Sequence, residues 1–115
     1  MHCIIAGSRD ITNYNLVKEA IKHSGFNIDT VVSGGARGVD ELGVLWAEEN
    51  NKNYVVYPAK WDAHGKAAGP IRNKEMAQAA DSLIAIWDRK SRGTKNMIKE
   101  AEKAGLEIYI HYVNE

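Results

Sequence analysis

The chain is short of cysteine, of long apolar runs and of net charge, and each shortage narrows what it can be. Among 115 residues there is one cysteine. A lone Cys3 excludes a disulfide within the chain and fits a reducing, cytoplasmic compartment. Its apolar neighbours in Met1-His2-Cys3-Ile4-Ile5 make it a buried thiol rather than a nucleophile. No run of about 18 apolar residues occurs, so no membrane span is expected. The first residues have no basic segment ahead of the apolar ones and read as a strand, not as a signal peptide. Lysine and arginine together number 15, as do aspartate and glutamate. A dedicated duplex-DNA binder shows a basic excess, which is missing here, although local patches count for more than totals.

Several chemistries lack their signatures. There is no Walker A loop and no G-x-G-x-x-G fingerprint, so neither ATP hydrolysis nor ordinary NAD binding follows. His2, His23, His64 and His111 show no ligand spacing with cysteine or carboxylates, so no metal is expected, and no other cofactor is. A G-x-S-x-G elbow is absent and a Cys-His pair has no support.

What is present is alternation. Apolar runs at residues 2–6, 30–33, 53–57, 82–87 and 106–113 read as strands. Amphipathic stretches at 14–24, 39–50, 70–80 and 94–104 read as helices, with Gly25 and Gly105 as stops and Pro70 in a first turn. Residues 58–69 are expected to be irregular, and a loop of that length inside a compact domain is often functional. Five strands alternating with four helices predict a single α/β domain over 1–115. The expected fold is a Rossmann-like, doubly wound parallel sheet with helices on both faces. No repeat, linker or low-complexity segment interrupts it.

All five arginines, Arg9, Arg37, Arg72, Arg89 and Arg92, fall in or just after loops that follow strands. In an open parallel sheet those loops share one edge, where ligands bind. Guanidinium groups, glycines and helix N-termini on one edge suit an anion, most simply phosphate. The most specific segment is Ser33-Gly34-Gly35-Ala36-Arg37-Gly38-Val39-Asp40, strand into glycines into helix. Its N–H groups and helix dipole suit an anion; the plainer alternative is a tight turn with Arg37 paired to Asp40. Gly7-Ser8-Arg9 offers a hydroxyl and a guanidinium fork, unless Ser8 or Asp10 simply caps a helix. Arg72 and Asn73 stand in a helix's first turn, where arginine opposes the dipole, so a binding role is favoured. Ser91-Arg92-Gly93-Thr94 makes either a second phosphate cradle or an ordinary Ser/Thr cap. Trp61 can stack on a base and His64 can bond phosphate, though such a tryptophan often only pins its loop. Trp87 is either core or pocket wall.

In this order, these blocks resemble the SLOG superfamily, the Rossmann-like group that includes DprA (Smf) and the LOG-type cytokinin-activating phosphoribohydrolases. Residues 33–40 are similar to DprA's S-G-x-A-R-G-I-D, and Pro70 with Arg72-Asn73 is similar to its P-x-R-N. Residues 4–9 and 87–94 resemble still more the small stand-alone YspA/YpsA-related branch found in bacteria and phages. The likeness covers nearly the whole chain. It implies binding of a nucleotide or nucleotide derivative, ADP-ribose-like or a signalling nucleotide, and a homodimer or higher oligomer. LOG enzymes carry P-G-G-x-G-T-x-x-E with a catalytic glutamate, and Met97 stands at that place. A thioether is neither a general base nor a stabiliser of an oxocarbenium ion. Phosphoribohydrolysis would need Asp40, Glu75 or Asp88 instead. Single-stranded DNA binding in the manner of DprA is the other alternative, with Trp61 stacking on bases. It is weakened by the neutral charge and by a resemblance that reaches none of DprA's flanking domains.

Overall fold

The computed structural model describes residues 1–113. β1 (His2–Gly7), β2 (Thr30–Ser33), β3 (Asn53–Val56), β4 (Ser82–Trp87) and β5 (Glu107–Tyr112) form one parallel sheet. Their order is β3-β2-β1-β4-β5. Between them run α1 (Tyr14–Ser24), α2 (Val39–Glu49), α3 (Trp61–His64), α4 (Ala68–Ala79) and α5 (Arg92–Lys103).

β1 is the central strand, and its sequence shows why. Cys3, Ile4 and Ile5 are all fully buried, so the strand is covered on both faces and reads as a continuous apolar run instead of an alternation. The pleat divides its side chains. Cys3 and Ile5 join Val31, Ile84 and Ile86 in a core with Val17, Ala20, Val39 and Ala47 of α1 and α2. Ile4 and Ala6 join Val32, Leu83 and Ala85 in a second core with Met76, Met97 and Ala101 of α4 and α5. The helices thus sandwich the sheet, as the alternation predicts.

One expectation fails. Residues 58–69 are not irregular: α3 occupies Trp61–His64, a 3-10 turn follows over Gly65–Ala67, and α4 begins at Ala68, two residues before Pro70. Pro70 is still tolerated because N–H groups in a helix's first turn have no intrahelical acceptor. α5 starts at Arg92, with Ser91 as its cap, two residues earlier than the pattern suggests. β3 is an edge strand, and Tyr54, Val55 and Val56 are all more than 40 % exposed.

The chain winds outward from β1 in one direction through β2 and β3, then returns to β4 on the other side. At that reversal the connections after β1 and β4 diverge, leaving a crevice at their carboxyl ends.

Candidate functional site

A cleft of about 700 Å3 opens at this crevice. Gly7 ends β1 where nothing larger fits, since a Cβ would lie 2.7 Å from Val39 Cγ2. The next residue extends the ladder, as Ser8 N–H donates to the Ile86 carbonyl at 3.3 Å. Ser8 is 3 % exposed and lines the cleft. Its Oγ forms no hydrogen bond of good geometry among the described residues, though it lies close enough to the Asp88 carboxyl to help lower it. That is unusual, because an unpaired buried hydroxyl carries a desolvation cost.

Opposite Ser8 stands the connection from β4 to α5. Asp88 Oδ1 accepts from the N–H groups of Lys90 and Ser91, both at 2.8 Å. These bonds, Ser91's first, hold the carboxyl below the usual carboxylate range. Trp87 Nε1 donates to the Ser91 carbonyl at 3.0 Å, which fixes the turn from behind. Ser91 Oγ accepts from Thr94 N–H at 3.3 Å and lies 3.0 Å from Thr94 Oγ1. The Arg92 and Gly93 N–H groups have no acceptor among the described residues, and α5 has no acidic residue in its first turn. A helix end of this kind carries open donors and a positive partial charge.

The glycine loop after β2 is built differently. Ser33 Oγ accepts from Gly35 N–H at 3.2 Å and donates to the Asp40 carbonyl at 3.3 Å. The Asp40 carboxylate accepts from Ala36 N–H at 3.2 Å, and Glu41's accepts from Gly38 N–H at 3.2 Å. Three loop donors are therefore engaged by the protein's own oxygens, and α2 carries two carboxylates in its first turn. The Arg37–Asp40 pair does not form: Asp40 turns inward, and Arg37 is exposed. Burial pushes the Asp40 carboxyl up to about 6, against the opposing pull of Ala36 N–H, Arg72 and Arg9.

Arg72 and Asn73 tie these loops together. Arg72 Nη1 donates to the Gly34 carbonyl at 2.6 Å and to the Tyr57 carbonyl at 3.4 Å, and Nε donates to Asn73 Oδ1 at 3.0 Å. Asn73 Nδ2 reaches Asn96 Oδ1 at 2.9 Å and the Gly93 carbonyl at 3.4 Å. Arg72 is thus held within the protein and still lines the cleft. Arg9, Lys66 and Arg92 also line it, with no ion pair among the described residues. Trp61, half exposed, stands at the rim. Met97, at the position of the LOG glutamate, is buried in the wall.

Of the residues expected at a site, Gly7, Ser8, Arg9, Asp40, Trp61, Arg72, Asn73, Asp88, Ser91, Arg92, Gly93 and Thr94 converge on this cleft. Gly34, Gly35 and Arg37 line an adjoining recess. Ser33 and Gly38 are buried within the loop. Glu75 and His64 are exposed and border neither cavity. Trp87 faces Tyr112, ring centres 6.1 Å apart, and borders a separate groove along α5. Lys66 and Asn96 line the cleft unannounced by any motif. Lys66 lies in the stretch after β3 that its length had singled out, whereas Asn96 had no signal.

Residues 1–64 match the model of the YspA, cpYpsA-related SLOG family, YAcAr. The chain belongs to that family. This YAcAr chain is 36 % identical to Gene 61 protein of Mycobacterium phage D29, over 91 % of each. Its fold is similar to that of DNA processing protein A (DprA) from Streptococcus pneumoniae in its X-ray structure, with a TM-score of 0.75 and 18 % identity. The match covers 95 % of this chain and 49 % of that one, so the chain spans about half of DprA's length. SLOG membership and the Rossmann-like sheet both stand as the residue blocks implied. Among the described residues no helix is long and apolar enough to cross a membrane.

Proposed function

We propose that this SLOG domain binds a phosphate-bearing nucleotide derivative in the crevice between β1 and β4. Phosphate oxygens accept from the open N–H groups of Arg92 and Gly93 and from Ser8 Oγ. The Arg92 and Arg9 guanidinium groups balance the charge, and the Trp61 ring offers a face to the base. The Ser8 hydroxyl carries this reading. It is a buried hydroxyl in a cleft wall that forms no hydrogen bond of good geometry to the protein, beside the Asp88 carboxylate and opposite a helix end with open donors. In this reading the phosphate sits at α5 and not on the Gly34–Gly38 loop, where the Gly35, Ala36 and Gly38 donors are already engaged.

Thermal shift and calorimetry with AMP, GMP, UMP, ADP-ribose and a short single-stranded oligonucleotide test it. A ligand at about 100 times its Kd adds roughly 2.7 kcal/mol of stability. Binding that Arg92→Ala and Ser8→Ala leave unchanged would remove the proposal. Affinity for the oligonucleotide alone, falling steeply with salt, would replace it with nucleic-acid binding.

A second reading rests on Asp40. Its carboxyl lines the cleft and is pushed up to about 6, which suits a general acid near neutral pH. Chromatography for free base after incubation with nucleoside monophosphates tests N-glycosidic cleavage, and binding without turnover excludes it. For the assembly, the exposed β3 edge bearing Tyr54 and Val56 supports a homodimer, to be checked by light scattering after gel filtration.

A further inference from the structure

Beside the cleft lies a recess of about 530 Å3 over the Gly34-Gly35 turn. Arg9, Ala36, Trp61 and Arg72 line both spaces, so the two adjoin. Their charges differ. The cleft sets Asp10, Asp40 and Asp88 among its cations. The recess has Arg9, Arg37 and Arg72 and no carboxylate in its wall, in a chain with zero net charge. Arg9 and Arg37 are exposed and have neither hydrogen bond nor ion pair among the described residues. Arg72 titrates below its ordinary value, through burial first and also through the repulsion of Arg9, against the opposing pull of Asp40 behind the Gly34 turn. Exposed guanidinium groups that make no ion pair, like those of Arg9 and Arg37, are stabilised by an anion placed between them.

The space between the two ends is also suited to a ligand. Trp61 is shared by both walls and half exposed, an aromatic face where a nucleoside can stack. The turn leaves room because it is glycine: at Gly35, with φ +74°, a Cβ would lie 2.9 Å from Val56 Cγ1.

We propose that the recess lined by Arg9, Arg37 and Arg72 is a second anion subsite, and that the ligand carries two phosphate groups separated by a nucleoside, as in a nucleoside bisphosphate or a dinucleotide. This rests on the first phosphate lying at α5. One phosphate occupies the α5 end, the nucleoside lies along Trp61, and the second phosphate meets Arg37, with Arg9 between the two. A mononucleotide fills only half of the site.

Isothermal titration of AMP, adenosine 3′,5′-bisphosphate and a 5′-phosphorylated diadenosine dinucleotide tests this, with guanosine and uridine counterparts in the same panel. The proteins are the wild type, Arg37→Ala and Arg92→Ala, each checked for an unchanged melting midpoint. The two-phosphate ligands should bind at least about tenfold more tightly than the mononucleotide, as expected for one added charge-assisted contact. Arg37→Ala should collapse that ratio towards one, whereas Arg92→Ala should weaken every ligand. Equal affinities in the wild type, or a ratio that survives Arg37→Ala, overturn the second subsite. Mononucleotide binding that is lost in Arg92→Ala would then keep the first site standing. No binding of any ligand overturns both. A short 5′-phosphorylated oligonucleotide distinguishes the end of a nucleic acid from a free dinucleotide, either of which presents the same two phosphates.

Discussion

Asp40 should make this protein less stable as pH rises from about 4 to about 6, the reverse of ordinary acid denaturation. Asp40 is 6 % exposed, and burial raises its carboxyl from 3.8 to about 6. The folded state therefore holds the proton more tightly than the unfolded chain. Between those two values the native protein keeps a proton that the unfolded chain has released, so each step upward in pH favours unfolding. Above about 6 the whole cost stands, roughly 3 kcal/mol at about 1.4 kcal/mol per pH unit. Asp40→Asn isolates this contribution. The amide oxygen can still accept from Ala36 N–H, and the pull of Arg72 and Arg9 on the ionised carboxyl is already contained in the value of about 6. Urea denaturation of both proteins from pH 4 to pH 8 gives the difference in stability at each pH. That difference should move in favour of the variant by roughly 3 kcal/mol between pH 4 and pH 7, then level off. A flat difference would show that the carboxyl titrates normally and that its burial is not felt.

Three further predictions follow from single contacts. Gly38→Ala should destabilise the fold by about 2 kcal/mol or more in the same assay, because φ is +78° and a Cβ would lie 2.7 and 2.8 Å from the Arg9 carbonyl carbon and Cα. Ser8→Ala should leave stability within about 1 kcal/mol, while weakening phosphate-bearing ligands about tenfold or more in calorimetry, since it deletes a buried hydroxyl that forms no hydrogen bond of good geometry to the protein. Trp87→Phe removes the 3.0 Å bond to the Ser91 carbonyl and should cost about 1 kcal/mol, with faster amide exchange at Lys90 and Ser91.

The fold was legible because the parallel sheet writes itself as apolar runs. Ile4 and Ile5 are adjacent yet both buried on opposite faces, which requires helices on either side. Boundaries were less legible where capping decides them. Ser91 starts α5 by accepting from Thr94 N–H, and periodicity does not report a hydrogen bond. The helical structure of residues 61–67 was hidden for a related reason: α3 and the 3-10 turn are too short, at four and three residues, to show an amphipathic repeat.

The site was harder to read, because two loops that look alike as strings differ in what their donors already hold. Ser33-Gly34-Gly35-Ala36-Arg37-Gly38 and Ser91-Arg92-Gly93-Thr94 both place glycine, arginine and a hydroxyl at a helix start. In the first, Asp40 and Glu41 fold back onto Ala36 and Gly38, so the helix end is neutralised from within. In the second, the nearby acid is Asp88, on the other side of the turn, and its carboxylate is occupied by the N–H groups of Lys90 and Ser91. The N–H groups of Arg92 and Gly93 are left open. The position of one carboxylate relative to the helix start therefore separates a self-sealed turn from an anion cradle. Moving an acid to the place in α5 that Asp40 holds in α2, as Gly93→Asp does where a Cβ meets nothing within 4 Å, should convert the second loop into the first kind. Phosphate-bearing ligands should then bind about tenfold or more weakly while the melting midpoint holds, and unchanged affinity would place the phosphate elsewhere in the crevice.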